Sequence, residues 1–257
     1  MNAKLPTRVS PVAVFDVGRV SSSASHLEPF IIRGLVEHWP AYHWTNELIR
    51  HKYGQIRCNI TLDSRPIYLQ FSDTKRLDDY MDRLDASDAD GFQVDGYLFH
   101  TLKLDSEATA ANGRAILSDI CLPSDVFDND SVKLVRVYAG PSSTGTLPHI
   151  HDGACNALLR GRKRWVLFSS PDPAQHAKLE KEIYAKWGEG THSRDWFEQE
   201  YLQLQNDNRL NIWECVQEAG ELIYVPQNMY HVALNLTPVV GVVAEFQGSG
   251  FKPAIAN

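Results

Sequence analysis

The sequence predicts an all-β core with helical additions, and three observations lead there. From Val132 onward the chain breaks into short β-branched and aromatic runs separated by glycine and proline turns. A polar, helix-prone insert interrupts them after Phe168, and the part before residue 131 mixes helical and strand patterns. Short strands between such turns build a sandwich or a barrel, and a jelly roll is the version in which the first and last strands lie close in space. The 257 residues suffice for one β-rich domain, so the expected organisation is a single unit, 1–257. Within it a mixed α/β part (1–130) packs on a strand core (131–246) that carries a helical insert (171–210), and a short tail (247–257) follows.

Taken in order, Pro29 to Gly34 reads as a strand closed by glycine, and Thr45 reads as the cap of a helix starting at Asn46. Ile56, Cys58, Ile60 and Leu62 alternate with period two, the mark of a strand with one buried face. After Asp73, the residues Leu77, Tyr80, Met81 and Leu84 keep helical spacing, while Asp78, Asp79, Asp82 and Arg83 form a solvated face. Further strands are expected at Val132–Ala139, Cys155–Leu159, Trp165–Phe168, Glu221–Val225, His231–Leu236 and Val239–Phe246. Helices are expected at Ala174–Trp187 and Arg194–Leu204, after Pro171 and Pro173.

Composition narrows the functions. Hydrophobic residues make up 43% and charged residues 22%, which fits a packed globular chain and excludes a disordered one. Net charge is −7 and the basic residues are scattered, so no nucleic-acid partner is expected. No stretch reaches the roughly 18 apolar residues of a membrane span, and the first residues lack a signal-peptide core, so the expected location is the cytoplasm, away from membranes. Four unpaired cysteines (Cys58, Cys121, Cys155 and Cys215) agree with a reduced compartment.

The chemistry concentrates in Gly145-Thr-Leu-Pro-His-Ile-His-Asp-Gly-Ala-Cys-Asn156. On a strand, His149 and His151 would share a face and could converge on one ion, with Ile150 pointing the other way. His231, 82 residues after His149, opens another strand that a jelly roll can bring alongside. Three nitrogen ligands on one side of a divalent ion leave positions for a chelating cosubstrate and dioxygen. Histidine pairs also occur on ordinary strands, so the pair alone does not establish a metal site.

The wider pattern adds a family. Thr146, the His149–His151 motif, Asn156, then Gly161-Arg-Lys-Arg-Trp-Val-Leu-Phe168, and later Gly220-Glu-Leu-Ile-Tyr-Val-Pro226 before His231, closely resemble Jumonji C (JmjC) hydroxylases. Pro29 to Gly34 and Trp39-Pro40 resemble that family's opening signature. The branch most similar in motif is the small one containing lysyl hydroxylases.

This resemblance implies a double-stranded β-helix of the cupin-like JmjC type. It implies an oxygenase, hydroxylating a protein side chain or a small molecule with Fe(II), or another divalent metal, and 2-oxoglutarate. Carried over by position, His149 and His231 are metal ligands, Lys163 grips the distal carboxylate of 2-oxoglutarate, and Thr146 and Tyr97 are its hydroxyl partners. Asn156 and Asn235 fall on polar positions beside the cosubstrate. The sequence departs from the family where a carboxylate is expected, since His151 stands there; Asp152 is the alternative ligand if the chain turns. A second departure is Glu245 on the last strand, an acid that could recruit a cationic substrate. Two other functions stay open: a three-histidine cupin dioxygenase that ignores 2-oxoglutarate, and a noncatalytic metal- or ligand-binding protein. A monomer or weak dimer is expected.

Overall fold

The computed structural model describes residues 9–20, 24–61, 73–90, 96–186 and 192–252. Leu62 and Trp187, which end two of the expected elements, lie outside them. The chain opens with β1 (Val9–Pro11) and β2 (Ala13–Asp16) and reaches β3 (Phe30–Arg33), which ends at Gly34 in the left-handed region, φ 72°. The Thr45 hydroxyl accepts from Leu48 N at 3.1 Å and caps α1 (Asn46–Tyr53). Then come β4 (Arg57–Thr61), β5 (Asp73–Arg76) and α2 (Leu77–Asp90), whose Leu77, Tyr80, Met81 and Leu84 are buried as their spacing requires. They are followed by β6 (Tyr97–Lys103), α3 (Ala110–Ser118), β7 (Val132–Gly140), β8 (Gly145–His149), β9 (Ala154–Arg160) and β10 (Arg162–Ser169). The insert holds α4 (Pro173–Lys186) and a second helical stretch with a π-helical middle at Trp196–Glu200. The chain closes with β11 (Asn211–Glu218), β12 (Leu222–Val225), β13 (Tyr230–Asn235) and β14 (Val239–Phe246).

Among the described residues the strands form two sheets. One has five strands in the order β1-β11-β10-β13-β8, and the other has nine in the order β2-β3-β12-β9-β14-β7-β6-β4-β5. Pairing of β8 with β13 and of β7 with β14 joins strands far apart in the chain, as a jelly roll demands. Alternation gives each strand an inner and an outer face. On β10, Arg164, Val166 and Phe168 face outward, and Val166 and Phe168 pack under the insert with Leu179, Ile183, Trp196, Phe197 and Tyr201. Lys163, Trp165 and Leu167 face inward. The nine-stranded sheet buries its outer face against the N-terminal elements, where Trp39, Ile49, Tyr80, Met81 and Ile116 pack on β-strand residues. An aromatic knot ties its far edge: Phe30 stacks on Tyr224 at 4.9 Å, and Phe127 on Phe246 at 5.6 Å. Each such ring adds roughly 1.5–3 kcal/mol by burial.

Several elements escaped the sequence reading for local reasons. The α3 helix carries Gly113, a poor helix former, because it lies against β6: a Cβ there would come within 2.9 Å of Leu104 Cδ2. In β11, polar residues occupy both faces, and its one fully buried polar side chain, Gln217, looks like a loop residue in the sequence. The stretch expected as one helix at Arg194–Leu204 begins at Ser193 and widens into the π-turn, which turns Trp196, Phe197 and Tyr201 into the core.

Gly145 sits where β8 is drawn tightly onto β13, and a Cβ there would be 1.9 Å from the Ala233 carbonyl oxygen. Gly145→Ala is therefore expected to destabilise the fold by about 1–3 kcal/mol through overpacking. A urea midpoint indistinguishable from the parent would contradict this account of the close approach.

Candidate metal centre

Between the sheets lies a cavity of about 520 Å³, including open space at its mouth. Tyr97, Phe99, Arg136, Ala154, Asn156 and Val243 line it from the nine-stranded sheet, and Thr146, His149, Lys163, Trp165, His231 and Ala233 from the other, with His151 and Val225 completing it.

The register of β8 against β13 decides the metal centre. His149 lies directly opposite His231, and Thr146 lies opposite Ala233, so β8 carries one extra residue between these pairs. This bulge, at Leu147-Pro148, lets Thr146 and His149 both face the cavity although they are three residues apart. Proline suits it, having no N–H to leave unpaired.

The third imidazole arrives differently from the strand-alternation argument. The strand ends at His149, and His151 stands in the loop beyond it. The loop is held by the turn before β13, where Asn228 N, on a residue at φ 59°, donates to His151 O at 3.0 Å. Gly153 N to Gly248 O and Phe246 N to Gly153 O fix its other end at 2.7 and 2.9 Å. A ring nitrogen from each of His149, His151 and His231 lies within 4.8 Å of the others.

Each ring is also fixed in tautomer. The Nδ1 atoms of His149, His151 and His231 contact the carbonyl oxygens of Leu147, Asp152 and Met229 at 2.8, 2.6 and 3.0 Å. A carbonyl only accepts, so each Nδ1 carries the proton and each Nε2 keeps a lone pair. Burial, reinforced by His151, pushes the His149 pKa down to about 3; burial also lowers His151, and together with its imidazole neighbours it lowers His231 well below the usual range. The three rings are neutral donors at neutral pH.

Asp152 turns away. Although the chain does leave the strand, its carboxylate contacts Lys133 at 2.6 Å and accepts from Gln227 Nε2 at 3.0 Å.

Lys163 lies deeper, 1% exposed, donating to Tyr97 OH at 3.0 Å and lying 3.9 Å from the centre of the Tyr138 ring. Burial drives its pKa down to about 7. The buried Thr146 hydroxyl in the same cavity has no hydrogen-bond partner. Asn156 accepts from Tyr138 OH at 2.7 Å. Beneath them Trp165 Nε1 donates to Gln217 Oε1, and Gln217 Nε2 donates to Asn156 O and Glu221 O, each at 2.9 Å.

Two expected residues lie elsewhere. Asn235 does not line the cavity; its Nδ2 donates to Thr144 Oγ1 at 3.1 Å and Pro141 O at 3.3 Å, holding the turn between β7 and β8. Glu245 is buried outside the lining, ion-paired to Lys133 at 2.9 Å and to Arg136. Burial works to raise its pKa, but Arg136, His151 and Lys133 outweigh it and the net shift is downward. The sequence reading missed Arg136, Tyr138, Phe99 and Trp165. An arginine inside the apolar run Val132–Gly140, two residues before a tyrosine, was the available sign.

Comparison with known proteins agrees with this architecture. The chain is similar to the lysine-specific demethylase JMJ21 of Arabidopsis thaliana, at 28% identity over 85% of this chain and 23% of that protein. It is similar to the arginine-specific demethylase JMJ22 of the same plant, at 23% identity over 93% of this chain and 45% of the relative. It is also similar to the bifunctional arginine demethylase and lysyl-hydroxylase psr-1 of Caenorhabditis elegans, at 26% identity over 85% and 55%. The chain thus spans about half or less of the relatives' lengths. A family model described as a cupin-like domain matches residues 20–246, which takes in every cavity residue and all but the first two strands, so the chain belongs to the cupin-like, JmjC-type family.

Proposed function

We propose that this protein is a metal- and 2-oxoglutarate-dependent oxygenase that hydroxylates a protein side chain or a small molecule. The observation that carries the reading is the convergence of three neutral imidazoles, their Nε2 lone pairs free, on a cavity whose inner end holds the buried Lys163 amino group. The donor set fits a divalent ion: Fe(II) is the ion proposed, and a three-imidazole set is also compatible with other divalent metals. The names of the relatives, demethylases and a lysyl-hydroxylase, support oxidative chemistry.

His149, His151 and His231 would hold the ion on one side. Lys163, with Tyr97 and the unpartnered Thr146 hydroxyl, would hold the distal carboxylate of 2-oxoglutarate, an ammonium–carboxylate contact worth about 2 kcal/mol or more where water is excluded. Asn156, kept in place by Tyr138 and by Gln217 through its backbone, would present an amide to the cosubstrate. With metal, keto acid and dioxygen supplied, such a site would couple oxidative decarboxylation of 2-oxoglutarate to succinate and carbon dioxide with hydroxylation of a C–H bond, one atom of dioxygen going to succinate and the other to the hydroxylated product. The apolar walls Phe99, Val225, Ala233 and Val243 would limit the access of water to it.

Because His151 replaces a carboxylate, a second reading is a three-histidine dioxygenase that binds its organic substrate without 2-oxoglutarate; Lys163 separates the two. The decisive test is succinate formation from 2-oxoglutarate by protein loaded in turn with Fe(II) and other divalent ions. Absence of succinate with every ion would sink the oxygenase reading. Lys163→Met is expected to weaken 2-oxoglutarate binding by about tenfold or more. It should leave thermal stability equal or higher, because it removes a buried charge that has no anionic partner. Unchanged cosubstrate affinity would favour the second reading.

The metal ligands are tested separately. His151→Ala is expected to weaken metal binding by about a hundredfold or more, while Asp152→Asn changes it by less than about threefold. The reverse ranking in metal titrations would make Asp152 the ligand.

Affinity for 2-oxoglutarate should depend on pH. Lys163 is charged below its folded pKa of about 7 and loses its proton above it, whereas binding a dianion requires the ammonium form. Affinity should therefore fall by up to about tenfold per unit from about pH 7 to about pH 9, with proton uptake on binding measurable by calorimetry. A flat affinity over that range would remove Lys163 from the anion contact.

A further inference from the structure

We infer that Arg136 is a specificity residue that selects a substrate bearing a carboxylate and turns away lysine and arginine side chains; this rests on the function proposed above. Arg136 stands on β7 opposite Val243 of β14 and lines the cavity on the sheet facing the three histidines. Its positive charge acts on all three imidazoles, against the Glu245 carboxylate, which acts with the opposite sign on His149 and His151. Lys163 occupies the deep end with Tyr97 and Tyr138, so Arg136 is the second cation of the cavity, and no aspartate or glutamate is among the described lining residues.

The guanidinium is only partly engaged. Its Nη1 donates to Glu245, its Cζ lies over the Phe99 ring 5.6 Å from the centroid, and its buried Nε–H has no partner. Glu245 is shared with Lys133, which in turn binds Asp152, so the four charges balance as a group while the arginine end is the one presented to the cavity. A guanidinium with a spare donor on an apolar wall matches the oxygens of a carboxylate. The same charge repels a substrate ammonium or guanidinium in a space where screening by water is weak. The three-histidine set adds to this bias, since it lacks the negative ligand that would offset the metal's charge.

The test uses full-length, metal-loaded protein titrated with the N-acetyl amides of aspartate, glutamate, lysine and arginine, with and without saturating 2-oxoglutarate, and followed by protein-observed NMR. With 2-oxoglutarate present, the acidic probes should bind at least about tenfold tighter than the basic ones. Arg136→Gln should abolish the difference, and Arg136→Lys should keep its sign. Arg136→Gln combined with Glu245→Gln removes both halves of the ion pair and serves if the single variant folds poorly. Equal or tighter binding of the basic probes overturns the inference. So does acid binding that survives in the Arg136→Gln variants, or an Arg136→Gln loss of 2-oxoglutarate affinity as large as that of Lys163→Met. If the parent protein fails to bind 2-oxoglutarate while acid selection still tracks Arg136, the cosubstrate reading falls and this one stands.

Discussion

The antiparallel pairing of β8 with β13 is the constraint on which the site depends. It sets His149 beside His231, 82 positions later in the chain, and the turn before β13 then captures the loop that carries His151. The insert is part of the same arrangement. By covering Val166, Phe168, Tyr230 and Val232 on the outer face of β10 and β13, it leaves their inner faces free to carry the histidine, the lysine and the tryptophan. One face stabilises the sheet, and the other is released for chemistry.

Electrostatics follow from that enclosure. Imidazoles taken out of water stay neutral, which is the form that donates to a cation. An ammonium taken out of water without an anionic partner is held at a cost, and that cost disappears when an anion arrives. The unpaired cation at the inner end of the cavity therefore favours an anionic ligand. Its polar atoms are braced from behind: Tyr138 orients Asn156, and Gln217 links Trp165 to the β9 backbone.

Much of this was legible in the residues, and the limits have physical reasons. The strands β7, β9, β10, β12, β13 and β14 could be read because burial on both faces makes them short apolar runs between glycine and proline turns, and the three histidines could be chosen because the surrounding motifs resembled one family. The way His151 arrives could not be read, because a strand ending at His149 and a loop following it differ in hydrogen bonds made to distant residues such as Asn228 and Gly248. Asn235 and Glu245 had the right chemistry at nearby positions, yet their partners, Thr144 and Arg136, come from β7 or the turn after it. Arg136 itself escaped notice because an isolated cation in a strand ordinarily reads as surface, and only the opposing sheet turns that surface into a wall.

The bulge at Leu147-Pro148 has an evolutionary consequence. By the pleat alone, residues three apart point to opposite faces, so the surplus residue is what reconciles Thr146 and His149 on one wall. A lineage could lose that residue and still keep both side chains inward, two places apart, whereas a one-residue slip of β8 along β13 would turn them both out. The cavity wall thus tolerates a deletion at Leu147-Pro148 more readily than a change of register.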